Sequence, residues 1–383
     1  MRLKDVTTLA PQYVGNDIDG DVSFVPMESL RNGNIDYQII PFRKAKGKYT
    51  YFGNNDLLVA KVTPCFENGN IAIAKNLLNN IGFGSSEIFI LRPGKKVTSE
   101  YLFYLSQSGD FQGKACATMC GVGGLKRISP LFMRTYEFDI PTLAEQRRMV
   151  DYLDTKLSEI DRQVSLLTRK RDAYLRLKKS IINHAVTKGL DKNAKMKDSG
   201  IEWIGQVPEQ WEVKRLKSLI SIKSGEALPN EELDDEGEYP VYGGGDKIGH
   251  YRKYNTDSKE IIVGRVGVRC GCVTMPHCLC WATDNALKIT SRIPLEFTYY
   301  ALMAADLNRL NTSNAQPLIT GTKIKNVEIP FPPLPEQRSI AAYLDDKCSK
   351  IDTIVANLNK QISRYGDLKR SLIDEVITGK RAV

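Results

Sequence analysis

Few residues in this chain are arranged for chemistry. Cys270-Gly271-Cys272 and Cys278-Leu279-Cys280, with His277 between them, bring four thiols and an imidazole close together in sequence, a combination that could hold zinc. Their spacing is Cys-x-Cys, not the paired Cys-x-x-Cys of structural zinc sites. Alternation along a strand would put each cysteine pair on one face, and small side chains buried in a hairpin explain that equally well. No metal ligand is assigned. Gly243-Gly244-Gly245 is not followed by Gly-Lys-Ser/Thr, so it reads as a turn and not a phosphate loop. The three histidines, His184, His250 and His277, lie in no nucleophile or metal motif. Walker and amino-methyltransferase signatures are absent, and no nuclease-like carboxylate cluster stands out. The chain is read as non-catalytic, with no catalytic residue and no cofactor of its own.

The remaining polar chemistry is basic and amide side chains in turn-rich stretches. Arg, Asn and Gln can read base edges through paired hydrogen bonds, and Lys more often meets phosphate. The candidates for duplex DNA contact are Arg43, Lys44, Lys46, Lys48, Lys126 and Arg127 in the first part of the chain. In the second part they are Lys247, Arg252, Lys253, Arg265, Arg269, Asn314, Gln316 and Lys323. Each alone is ordinary surface; the set carries the argument.

What positions them is a duplication. Residues 141–187, opening Pro141-Thr142-Leu143-Ala144-Glu145-Gln146-Arg147, align without a gap to residues 332–378, opening Pro332-Pro333-Leu334-Pro335-Glu336-Gln337-Arg338. The offset is 191, and 20 of 47 positions are identical. Tyr152-Leu153-Asp154 meets Tyr343-Leu344-Asp345, Ile160-Asp161 meets Ile351-Asp352, and Leu177-Lys178 meets Leu368-Lys369. A weaker echo joins Arg2-Leu3-Lys4 to Arg215-Leu216-Lys217.

Each repeat predicts a helix of about 42 residues, roughly 63 Å long. Its apolar residues step alternately by three and four, a coiled-coil seam. In the first copy these are Val150, Leu153, Leu157, Ile160, Val164, Leu167, Tyr174 and Ile181. In the second they are Ala341, Leu344, Cys348, Ile351, Val355, Leu358, Ile362, Tyr365 and Leu372. Arg171 breaks the first seam where the second has Ile362. Antiparallel pairing of the two helices about a pseudo-twofold axis is expected, with packing of each helix on its own globular domain as the alternative. Arg169, Lys170, Arg171, Arg176, Lys178 and Lys179 form either a solvated face or a contact for phosphate or an acidic partner.

The regions ahead of the helices read as mixed and β-rich. Residues 56–60 and 260–264 look like matching buried strands, as do 87–91 and 286–290. Helical stretches follow at 99–107 and 295–307, then turn-rich segments at 121–127 and 311–325. A last strand, 137–140 or 327–329, leads into each long helix. The expected fold class is α+β, with two mixed, β-rich domains separated by long helices. The division expected is 1–140, a helix at 141–190, 191–332, and a helix at 333–383.

Bulk properties agree. A length of 383 residues suits two or three domains, and 42% hydrophobic with 26% charged residues is ordinary for a globular protein. There is no apolar run of 18 residues and no signal-like apolar region at the start, so no membrane partner and a cytoplasmic location are expected. Eight cysteines suggest no disulfide scaffold. The net charge of +9 favours a polyanionic partner, and residues 141–195 hold +6 of it.

With these residues in view, the chain resembles the specificity subunits of type I restriction–modification systems. The duplicated Pro-x-Leu-x-Glu-Gln-Arg runs with their long helices carry the resemblance. So do Gly84-Ser85-Ser86-Glu87-Ile88-Phe89, Trp281-Ala282-Thr283-Asp284-Asn285-Ala286, and the segment from Ile201 to Trp211 (IEWIGQVPEQW). The resemblance implies two target-recognition domains, each reading one half of a gapped double-stranded DNA target. It implies helices that set the gap and dock two modification (methyltransferase) subunits, with restriction (endonuclease) subunits joining the complex. S-adenosylmethionine, ATP and Mg²⁺ would belong to those partners. The family commonly opens both recognition domains with a segment like Ile201–Trp211. None precedes Arg2, so an upstream piece of the first domain is expected to be missing. A coiled-coil scaffold that binds no DNA is the competing reading.

Overall fold

The computed structural model describes residues 1–383 except Gly123, Asp235, Ser258 and residues 312–316. Its chain packs into two compact units, residues 1–168 with 360–383, and residues 169–359. Both boundaries fall inside long helices, Leu143–Lys188 and Leu334–Ile377, of 46 and 44 residues. Each unit therefore draws on one end of each helix.

The helix starts follow from local chemistry. The Thr142 amide donates to Glu145 Oε2 at 2.7 Å and the Glu145 amide donates back to Thr142 Oγ1 at 3.3 Å, a reciprocal capping box. In the second helix, Pro335 sits in the first turn, where a missing N–H loses no helical bond.

In the first unit, a four-stranded sheet runs in the order Thr7–Leu9, Ile88–Pro93, Leu57–Ala60, Ile71–Ile73, with all neighbours antiparallel. Leu57–Ala60 is buried along its whole length, as a strand covered on both faces must be. A second sheet runs Gln38–Pro41, Asp21–Val25, Gly82–Gly84, Thr50–Phe52, and its middle pair is parallel. The helix Ser99–Gln107 follows the first sheet.

The second unit repeats the plan. One sheet runs Ile220–Ser224, Ala286–Ser291, Ile261–Gly264, Val273–Thr274; the other runs Lys247–Tyr251, Tyr239–Tyr242, Trp281–Ala282, again with one parallel pair. The helix Leu295–Ala304 follows. Both units are α+β, and the strands expected to match occupy the same places in the two sheets.

The expected strand at 137–140 is a correction. Only Glu137 bridges, to Arg2, flanked by a hydrogen bond from the Phe138 amide to the Met1 carbonyl. In the second unit Glu328–Phe331 pairs along Glu212–Arg215. The first segment makes a single bridge and its flanking hydrogen bonds, so no ladder propagates along it.

Within each unit the two helix ends run antiparallel. In the first, Asp161 meets Lys369 at 2.6 Å and Tyr152 meets Arg381 at 3.2 Å, so residue numbers rise on one helix as they fall on the other. Val150, Leu153, Leu157 and Ile160 share a core with Leu372, Ile373, Val376 and Ile377, and with Leu105 and Phe111 of their own domain. In the second unit Lys178 meets Asp352 at 2.6 Å, and Ile182, Ala185 and Val186 share a core with Ile340, Ala341 and Leu344. Helix pairing and domain packing, set out as alternatives, coexist. Among the described residues, no helix is long and apolar enough to cross a membrane.

Candidate nucleic-acid interface

The second unit gathers several candidates around the loop after its strand Ile261–Gly264. Arg265 Nη1 donates to Ser224 Oγ at 3.4 Å, and the Arg265 carbonyl accepts from the Ile319 amide at 2.8 Å. Arg269 pairs with Asp246 at 2.9 Å, which holds the loop against the Gly243–Gly245 turn. Glycine is required here: a Cβ on Gly264 would lie 2.3 Å from the Gly244 carbonyl oxygen, and Gly271 has φ +86°. Val268 stands at the loop's apex, 93% exposed, flanked by those two arginines. Lys323 Nζ donates to the Leu310 carbonyl at 3.1 Å, at the foot of the same surface. Asn314 and Gln316 lie outside the described residues.

Lys247, Arg252 and Lys253 lie elsewhere in this unit, on and just after the strand Lys247–Tyr251. Lys247 Nζ approaches His250 Nε2 at 2.7 Å, and Arg252 lies over the Tyr251 ring.

In the first unit the corresponding loop follows Leu57–Ala60. Val62 bridges Arg127 as Val266 bridges Leu318 in the second. The stretch expected as turns is a short hairpin, Cys120–Val122 with Leu125–Arg127. Arg127 grips Glu87 with two hydrogen bonds at 2.9 and 3.0 Å, which hold that carboxylate below its ordinary range. Lys61, which the sequence did not single out, joins this group. Its Nζ donates to the Ser86 carbonyl at 2.6 Å and lies 4.7 Å from the centre of the Phe89 ring. Burial pushes its ammonium down, and Glu87 partly restores it. Lys126 is exposed on the hairpin.

Arg43, Lys44, Lys46 and Lys48 belong to a different place, the helix Phe42–Ala45 and the residues after it. Phe42 and Ala45 anchor them in a smaller core under the second sheet. Arg43 pairs with Asp19 and Lys46 with Asp17, so part of the positive charge is already answered. The sequence list thus separates into two surfaces in each unit.

The seam residues fall into place by depth. Val150, Leu153, Leu157, Ile160, Leu344, Ile351 and Leu358 are buried, whereas Val164, Leu167, Val355 and Ile362 are half-buried. Of the basic run, Lys178 and Lys179 pair with Asp352 and Asp306, and Arg171 with its neighbour Asp172. Arg169, Lys170 and Arg176 stay exposed.

The seating of each domain on its helix escaped the sequence reading, although the accepting aspartates lay in the repeated Tyr-Leu-Asp. Tyr104 donates its hydroxyl to Asp154, and Tyr300 donates to Asp345 at 2.7 Å. Burial, followed by the adjoining carboxylate, raises both hydroxyls above the ordinary tyrosine value.

The cysteine alternation is also corrected. Cys270 and Cys272 sit in turns closed by amide bonds to Gly267 and Arg269, so they share no strand face. Cys270 and Cys280 are buried, Cys272 half-buried and Cys278 exposed. Among the described residues, no group of three or more His, Cys, Asp or Glu side chains is placed to hold a metal ion.

Two α+β units of one design, each carrying basic residues in the loop after its buried central strand and each seated on paired helix ends, define an internally duplicated protein. The chain belongs to the type I restriction modification DNA specificity domain family, whose model matches residues 1–170 and 208–364. It is 29% identical over 184 residues to the type I restriction enzyme EcoAI specificity subunit of Escherichia coli, a match spanning 47% of this chain and 31% of that relative. It is 22% identical over 398 residues to the MjaVIII specificity subunit of Methanocaldococcus jannaschii, spanning 96% and 88%. A chain solved in work on complex assembly and conformational transition of the type I R-M system shares the fold. That chain has a TM-score of 0.73 and 17% identity, with 100% of this chain and 97% of that one covered.

Proposed function

We propose that this chain is the DNA-reading, non-catalytic specificity subunit of a type I restriction–modification complex. Each unit reads one half of a gapped duplex target through the loops around Lys61–Arg127 or Arg265–Lys323. The long helices fix the gap and dock two modification subunits, and restriction subunits complete the assembly. S-adenosylmethionine, ATP and Mg²⁺ act on those partners, in the cytoplasm. One observation carries the reading: the same sheet order recurs twice, each time tied by a tyrosine to the same aspartate of a duplicated helix. A duplicated reader on a duplicated helix suits a two-part target, and two readers that differ in their loops need not read a palindrome.

Long-read methylation mapping of the host, with the gene intact and deleted, tests it. Deletion is expected to erase one split motif. Replacing residues 1–140 with another member's first domain should change one half of that motif and leave the other. An unchanged methylome with an active modification subunit present, together with no salt-dependent shift of duplex DNA, would overturn the proposal in favour of a scaffold.

A further inference from the structure

The loops that follow the two central strands correspond bond for bond, but their side chains do not. In the first unit the Lys61 amide donates to the Glu87 carbonyl at 2.9 Å, and the Lys61 carbonyl accepts from the Ile128 amide at 2.9 Å. In the second unit the Arg265 amide donates to the Asn285 carbonyl at 3.0 Å, and the Arg265 carbonyl accepts from the Ile319 amide at 2.8 Å. Val62 bridges Arg127 as Val266 bridges Leu318. The backbone therefore pairs Lys61 with Arg265, Glu87 with Asn285 and Arg127 with Leu318.

On that common frame the first loop is closed and the second is open. Glu87 takes both hydrogen bonds of the Arg127 fork, and its charge also acts on Lys61, whose ammonium is spent on the Ser86 carbonyl. In the second unit the place of that carboxylate is taken by the exposed Asn285, and the place of Arg127 by Leu318. Arg269 is answered by Asp246. Arg265 is in no ion pair among the described residues, and its side chain makes one long hydrogen bond, 3.4 Å from Nη1 to Ser224 Oγ. Its main chain is pinned on both sides and its Nε is buried without a partner, so packing holds the stem while the fork keeps donors to give. The turn that follows, closed by the Cys270 amide on the Gly267 carbonyl at 3.0 Å, lifts the exposed Val268 clear of the sheet.

A phosphate can be met by any long, mobile cation, and the exposed Lys126 is of that kind. A half-buried guanidinium on a pinned backbone suits a base, because its planar fork matches the two acceptors of guanine, O6 and N7. Resting on the reading that each unit reads half of a duplex target, we infer that Arg265 is a specificity-determining residue of the second unit, donating to O6 and N7 of a guanine in its half-target. Asn285 is what leaves it free to do so. In the first unit the equivalent donors are already taken, so the two readers recognise their halves by different means.

Titration of the full chain, assembled with its host's modification subunits, tests this. The probes are duplexes carrying the methylated motif and duplexes with each base pair of the second half replaced in turn; that half is the one that exchanging residues 1–140 leaves in place. The wild type is expected to bind about tenfold more weakly when one G·C pair is replaced. Arg265→Gln should weaken binding to the intact motif about tenfold and no longer distinguish that pair, with the first half read as before. Asn285→Glu restores the carboxylate of the first unit beside Arg265, and should abolish the same discrimination without lowering Tm. An Arg265→Gln complex that still discriminates every pair would overturn the assignment. So would one that weakens on all duplexes alike with a shallower salt dependence, the behaviour of a phosphate contact. Should Arg265→Gln fail to fold, discrimination kept by Asn285→Glu overturns it instead. A wild-type complex that discriminates no base pair in either half would overturn the functional reading itself.

Discussion

Lys178 and Asp352 face each other across the second unit's helix pair with 2.6 Å between Nζ and Oδ1. Their repeat equivalents, Lys369 and Asp161, do the same across the first unit's pair, also at 2.6 Å. One residue pair of the ancestral helix thus fixes the antiparallel register twice. Lys178 keeps only 18% of its side chain exposed, and Asp352 keeps 56%, so water screens the pair from one side. A partly exposed pair of this kind contributes about 1 kcal/mol or less. Lys178→Asp is expected to lower Tm by a few degrees, and adding Asp352→Lys should recover most of the loss. A double-mutant cycle by thermal denaturation reads the coupling; independent, additive losses would show that the pair does not set the register.

Tyr101 is fully buried and its hydroxyl meets no partner among the described residues. Burial, followed by the charge of Asp139, pushes that hydroxyl up to about 12. The equivalent place in the second unit is Phe297, also fully buried. Removing an unsatisfied buried hydroxyl while keeping the ring should be stabilising, by about 1 kcal/mol. A folded-state value raised above the unfolded one makes its stabilisation fall as pH rises from about 10 to about 12. Tyr101→Phe is therefore expected to raise Tm at neutral pH and to flatten the alkaline decline. A lower Tm would mean that the hydroxyl has a partner after all.

Glu260 is buried at the start of the strand Ile261–Gly264, and its Oε2 has no partner among the described residues. Burial raises its carboxyl above the ordinary value, against the pull of Lys288. The unfolded chain therefore gives up this proton at a lower pH than the folded one. The stability that the group contributes is fully present below about pH 4.3 and is lost as pH rises through the folded value. Glu260→Gln should raise Tm at pH 8 and change little at pH 4. Equal gains at both pH values would rule out the carboxylate charge as the cause.

Much of this architecture could be read from the residues because it is written twice. The gap-free repeat at offset 191 gave both long helices, and the apolar runs at 57–60 and 261–264 marked central strands, since a doubly covered strand leaves no polar alternation. The second sheets were harder to see. Gly82–Gly84 and Trp281–Ala282 are too short to show a period, and they pair in parallel with distant strands. The interface was legible as a composition but not as a place. Lys61 was overlooked because its role depends on Glu87 and Arg127, which only folding brings together. The tyrosines that seat the domains lie outside the repeat, so only their aspartate partners left a trace in it.

The helices offer the decisive mechanical test. Inserting one heptad after Thr168 and another after Asn359 lengthens both partners where the compact units divide, and keeps the three-four apolar rhythm in phase. At 1.5 Å per residue each insertion adds about 10 Å. Duplex DNA rises about 3.4 Å per base pair, so the gap between the two half-targets should widen by about three base pairs. The half-targets themselves should stay the same, because no recognition loop is touched. Methylation mapping in a host carrying the lengthened chain reads both outcomes at once. A motif with its original gap, methylated as before, would mean that something other than helix length spaces the two readers.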